Sequence, residues 1–233
     1  LCTPKCKILY KTINTILMDN NLMNAAVAVK KLDVLKTLKD GVSLALGNYI
    51  NILLAVVLYA VTIWIPYLNV GTTIAIMSLP AELAKGNKLN PTFIFDAKYR
   101  KNMGEFFILS LLMFGAILVG MFFMFAPGIV ISIAWCFAIL LFVDQNKSAL
   151  EAIRESNMLT YGNKWNIFFV LLIFSIVINV ITGVIAGVFG LIAYLAEAEW
   201  IMIISQLITS LLSLAFIPFT LSANAVMYKE LVL

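Results

Sequence analysis

The chain has 233 residues, 63% of them hydrophobic and only 12% charged, with mean hydropathy +1.02 and formal net charge +4. Soluble domains carry roughly 25% charged residues, so this composition excludes a water-soluble globular fold and points to an all-α polytopic membrane protein. There is no histidine, which removes the commonest general base and the commonest metal ligand.

Residues 1–31 read as an N-terminal arm. Lys5, Lys7 and Lys11 surround Ile8-Leu9-Tyr10, a pattern that suits either an interfacial segment or a soluble linker. Cys2 and Cys6 could supply half of a zinc site, but no other Cys or His lies near them, and no metal is assigned. Over 32–46, Leu35, Leu38, Val42 and Ala45 recur at helical spacing opposite Lys36, Lys39, Asp40 and Ser43. That predicts an amphipathic helix lying on the membrane surface.

Charge is then absent from Gly41 to Ala81, room for two crossings of about 20 residues each. Span one is expected at 49–65 and span two at 72–89, with Pro80 kinking or ending the second. The loop from Glu82 to Glu105 is the most charged, and its Thr92-Phe93-Ile94-Phe95 run is expected to dip toward lipid headgroups. Spans three and four fall at 106–125 and 129–143, and a second amphipathic helix at 146–161. Asp144, at the end of span four, is expected to act as an interfacial cap. Span five is read at 165–195 and span six at 200–228, with Pro218 inside it.

On this division all sixteen Lys and Arg residues fall on one side of the bilayer. The positive-inside rule then predicts six spans with both termini in the cytoplasm. The two amphipathic stretches also match each other without gaps, 115 positions apart: Leu35 meets Leu150, Asp40 meets Glu155, and Gly47-Asn48 meets Gly162-Asn163. This predicts pseudo-repeated halves, 32–146 and 147–233.

The assigned spans hold no ionisable residue away from their ends, which argues against a proton-coupled pump. Their polar members Asn51, Asn179, Gln206 and Asn224 are expected to bond neighbouring helices, or else to line a polar path. Gly183 and Gly187 form a G-x-x-x-G pair suited to close helix packing, inside the chain or with another subunit. Lys98, Arg100, Lys101, Arg154 and Lys164 are candidate contacts for lipid headgroups, anionic ones included, or for a partner protein. No nucleophile–base pair, phosphate loop, carboxylate dyad, cofactor motif or nucleic-acid signature is present, so no enzyme activity is assigned.

The segment with Pro127-Gly128, Ser148, Glu151-Ala152, Ser156 and Gly162-Asn163-Lys164-Trp165 resembles a broad group of uncharacterised bacterial multi-pass proteins. That group takes in the YciC-like proteins and the membrane domain that precedes some glycerophosphodiester phosphodiesterases. The resemblance implies a six-span membrane fold and carries no catalytic residues over, and these 233 residues include no phosphodiesterase domain. The expected function is non-enzymatic: an accessory or scaffolding subunit in membrane homeostasis or a larger assembly, with membrane lipids, other subunits or a second copy as partners. The alternative is a permease or lipid-moving transporter using the interface between the halves, with Asn51, Asn179 and Gln206 lining the path.

Overall fold

The computed structural model describes residues 31–86, 89–123, 125–196 and 199–233, and every regular element among them is helical. The N-terminal arm, with Cys2 and Cys6, lies outside the described residues, as does Glu197. Among the described residues five segments are long and apolar enough to cross a membrane: Val34–Thr62, Met103–Phe123, Phe125–Gln145, Lys164–Leu195 and Trp200–Val232. Their surfaces agree with that reading. Trp64, Phe122, Leu111 and Ile203 are all more than 60% exposed, an apolar display that a chain in water would bury.

Helix α1 spans Val34–Thr62, and the Asp33 carboxylate caps it by accepting from the Leu35 and Lys36 amides. The surface helix expected at 32–46 and span one are thus one continuous rod, which corrects the sequence reading. The reason is local. Gly47 keeps an ordinary helical φ, and the Asn48 amide donates back to the Leu44 carbonyl instead of capping a new helix. The rod is pinned where a Cβ on Gly41 would come within 3.2 Å of the Ala223 backbone, so helix backbones meet there.

Helix α2, Pro66–Ala84, starts with proline in the first turn, where its missing N–H costs nothing. Pro80 neither ends it nor marks its boundary; the helix closes at Gly86, whose φ of +74° suits glycine. Gly71, Thr72, Ile74, Ala75, Ser78 and Leu79 of α2 are all buried. Wrapped by its neighbours, α2 tolerates the Asn, Thr, Ser and Glu that lower its hydropathy, and it is the one expected span not among the five apolar segments.

Two short 3-10 turns follow, Pro91–Phe95 and Ala97–Arg100, capped by Asn90 and Asp96. They pack on α1 and α2 through the buried Ile94 and Tyr99. Helix α3, Met103–Phe123, and helix α4, Phe125–Ala134, form a hairpin sealed by glycine. A Cβ on Gly120 would lie 3.0 Å from the Gly128 Cα, and one on Gly128 would lie 2.6 Å from the Met121 Cγ.

The expected fourth span is not a single helix. It breaks at 135–137 and resumes as α5, Ala138–Gln145. After Asn146 in the left-handed region comes α6, Ala149–Thr160, opened by a reciprocal Ser148/Glu151 capping box. Gly162, at φ +82°, turns the chain into α7, Lys164–Leu195. Helix α8, Glu199–Val232, returns antiparallel to it and runs along α1 and α2, with Pro218 in its interior. The core is built from Ile52, Ala55, Leu79, Leu141, Ile167 and Met227.

Asp33 and Ser148, the caps of α1 and α6, keep the 115-residue correspondence. It stops at Gly-Asn: 47–48 continues a helix, whereas 162–163 breaks one.

Candidate functional site

The polar chemistry of the described residues gathers where the ends of α1, α2, α5, α7 and α8 meet. A break in an apolar helix exposes amides and carbonyls that need partners, and α6 supplies them. The Ser156 hydroxyl donates to the Ala134 carbonyl at 2.8 Å and accepts from the Phe137 amide at 3.2 Å. Thr160 adds a bond to the same carbonyl. Both side chains are fully buried.

The Gly162-Asn163 turn works similarly on a distant segment. The Asn163 Oδ1 accepts from the Leu32 amide at 2.9 Å, and the Asn166 Nδ2 donates to the Leu32 carbonyl at 2.8 Å. One peptide segment is thus gripped at donor and acceptor, which ties the start of α1 to the start of α7.

Charges close the same end. Asp144 accepts from Lys85 and, at 3.0 Å, from the Tyr228 hydroxyl, and its side chain is 7% exposed. It ties the C-terminal ends of α2, α5 and α8 together. Lys98 pairs with Glu82 at 3.0 Å, and Lys36 with Glu230 at 2.9 Å. Lys147 pairs with Glu155.

The Lys98 ammonium also sits 4.8 Å from the Tyr99 ring centroid. Burial works against its charge, but the Glu82 carboxylate and the adjoining Tyr99 side chain more than offset this and hold its pKa above the usual lysine value. Glu151, bonded by the Ser148 hydroxyl and amide, is held below the usual carboxylate range.

Two cavities of note open here. One of about 220 Å³ lies between the end of α2, the second 3-10 turn and the end of α5. A cleft of about 590 Å³ lies among α1, α2 and α8, with Gly47-Asn48 on its wall. Neither is lined by Asn51, Asn179, Gln206 or Asn224.

The expected site residues are scattered. Asn51 is half-buried on α1, while Asn224 is half-buried on α8 and donates to the Thr220 carbonyl. Asn179 is exposed and donates to the Ser175 carbonyl at 2.7 Å. Gln206 is exposed on α8. Of the cations, Lys98 is paired with Glu82, Lys164 donates to Asn157, and the Arg100 stem lies against Gly71. Lys101 and Arg154 are exposed.

Gly183 and Gly187 meet nothing within 4 Å, so the G-x-x-x-G pair packs no helix among the described residues. The glycines that do are Gly41, Gly120 and Gly128, whose spacing carries no such motif. Ser156 entered the sequence reading only through the family resemblance and Thr160 not at all, and the helix break they repair carries no proline or glycine to announce it.

A distal surface contrasts with this end. On α7 the buried Phe174 and the half-buried Ile178, Thr182 and Ile185 form the row toward α8, whose matching row is the buried Ser205 with the half-buried Ile208, Thr209 and Leu212. One position beyond the α7 row stand Ser175, Asn179 and Gly183, with Gly187 a turn further, and beyond the α8 row Gln206, Ser210 and Ser213. All are exposed. Antiparallel helices wind in opposite senses seen from one end, so a step of one residue past the contact row reaches the same side on both. The hairpin therefore has a small and polar side, opposed to an apolar side of Val177, Ile181, Val184, Leu207 and Leu211.

The chain matches none of the protein-family models, none of the curated proteins and none of the solved structures with which it was compared.

Proposed function

We propose that the protein is a non-enzymatic, six-span integral protein of the bacterial cytoplasmic membrane, with both termini inside. We read it as an accessory or scaffolding subunit that receives a transmembrane helix of another chain on the small and polar side of the α7/α8 hairpin. α2 is counted as the sixth crossing, enclosed by its neighbours instead of facing lipid.

The carrying observation is that Asn179, Gly183, Gly187, Gln206 and Ser210 are all exposed, with nothing within 4 Å of a Cβ on either glycine. The Gln206 amide has no hydrogen-bond partner among the described residues. In hydrocarbon such an amide has no water to bond, and a bond to a neighbouring helix contributes about 0.6–1.7 kcal/mol. The glycines let a partner backbone come close. The permease alternative needs a polar path joining Asn51, Asn179 and Gln206. The two cavities described above are not lined by them.

Extraction of native membranes into lipid–polymer particles, followed by affinity purification, tests this. The wild-type chain is expected to bring down a second chain in fixed ratio, and Gly183→Leu/Gly187→Leu to lose it. A wild-type chain recovered only as a monomer would overturn the proposal.

A further inference from the structure

The 220 Å³ cavity at the charged end is built for a ligand of defined chemistry, independently of the hairpin surface. Its wall includes Ser78, Glu82, Lys85, Lys98, Tyr99 and Asp144. Tyr99 is 2% exposed, and its hydroxyl has no hydrogen-bond partner among the described residues. A buried hydroxyl left so costs about 1–3 kcal/mol, and folded proteins normally satisfy such groups with water or a bound group. The same residue borders a smaller void of about 20 Å³, lined by Asn102 and Asn146 on one part and by Ile74, Phe142 and Val143 on another.

The charges restrict what can enter. Two ammonium groups and two carboxylates stand on the wall as the pairs Lys85–Asp144 and Lys98–Glu82. A purely anionic ligand gains from the lysines and is repelled by the carboxylates; a simple cation meets the reverse. A ligand with both charges, a few ångströms apart, meets complementary groups at each end. The volume lies below the roughly 300–1,000 Å³ of pockets for drug-sized ligands, so only a headgroup-sized moiety fits.

We propose that this cavity binds a zwitterionic aminoalkyl phosphate, its phosphate taking the Tyr99 hydroxyl and the Lys98 and Lys85 ammoniums, its primary ammonium taking Glu82 and Asp144. The source is a membrane phospholipid headgroup or a soluble phosphoethanolamine-like compound, and the ligand chemistry is the same. The partnering of Lys98 by Glu82 shifts the lipid preference from the anionic class toward the zwitterionic.

The test measures thermal stability of the purified chain with four additives: phosphatidylethanolamine, phosphatidylcholine, phosphatidylglycerol and free phosphoethanolamine. Stabilisation by the ethanolamine lipid beyond the other two lipids is expected, because choline carries no ammonium hydrogens and the glycerol headgroup carries no cation. Stabilisation by free phosphoethanolamine as well assigns the soluble source; its absence assigns the lipid. Tyr99→Phe, which removes the unpartnered hydroxyl and keeps the ring, should weaken binding about tenfold, the value of one 1.4 kcal/mol bond. Lys98→Gln provides a second variant and should weaken the phosphate end alike. Equal stabilisation by all three lipids, or unchanged ethanolamine-lipid binding in both variants, would overturn the assignment.

Discussion

At the charged end nearly every polar group is used within the chain: Asp144 holds Lys85 and Tyr228, Ser156 repairs a broken helix, and Asn163 with Asn166 grips Leu32. In the distal half of the α7/α8 hairpin, residues of the same chemistry lie open: Asn179 bonds only within its own helix, and Gln206 and Ser210 are exposed. Glycine divides the same way. Gly41, Gly120 and Gly128 touch another helix, while Gly183 and Gly187 touch none. Polar residues at the charged end and the glycines at helix contacts therefore build the fold, and those on the hairpin are free to build something else.

Substitutions can break that division, and the largest effect is expected in the glycine hairpin. Gly128→Leu places a side chain where even a Cβ comes 2.9 Å from the Met121 amide nitrogen, so α3 and α4 must part, at about 3 kcal/mol. Gly183→Leu, in open space, should leave thermal unfolding in detergent unchanged. Next comes Asn163→Ala, which strands the buried Leu32 amide and should cost about 1–3 kcal/mol in the same assay. Gln206→Ala, on the hairpin, should cost nothing measurable there while reducing recovery of the partner chain.

A smaller contrast separates the two Gly-Asn pairs. Gly162→Ala forces a Cβ into the left-handed region and should cost about 1–2 kcal/mol. Gly47→Ala, exposed in the middle of α1 with nothing nearby, should stabilise by about 0.5–1 kcal/mol. The smallest effect is pH-dependent. Glu151 has a lowered pKa, so its capping contribution is present above the ordinary carboxylate range and is lost as pH falls through the lowered value. The stability difference between wild type and Glu151→Ala should therefore be visible at neutral pH and vanish in acid.

Much of the helix order was legible because charge-free runs and turn residues are strong signals: α3, α7 and α8 begin and end close to the expected positions. The capping box at Ser148 and Glu151 has a local signature, Ser-x-x-Glu before an apolar row, which the helix reading did not use. What composition could not reveal depends on contacts. Gly47-Asn48 and Gly162-Asn163 look alike, and only the second has a Leu32 peptide to hold. The break at 135–137 depends on hydroxyls about 20 residues further along the chain. The 220 Å³ cavity joins residues from three elements, and its distinguishing feature, an unpartnered Tyr99 hydroxyl, has no trace in sequence. The G-x-x-x-G pair was legible as a motif, but a motif does not say whether its partner lies in the same chain.

Photo-crosslinking in native membranes bears most directly on the division between the two regions. A benzoylphenylalanine at 206, on the polar side of α8, is expected to give a single larger adduct with another chain. The same group at 207 or 211, on the apolar side, should react only with lipid. Equal labelling of lipid from all three positions, with no protein adduct from 206, would contradict it.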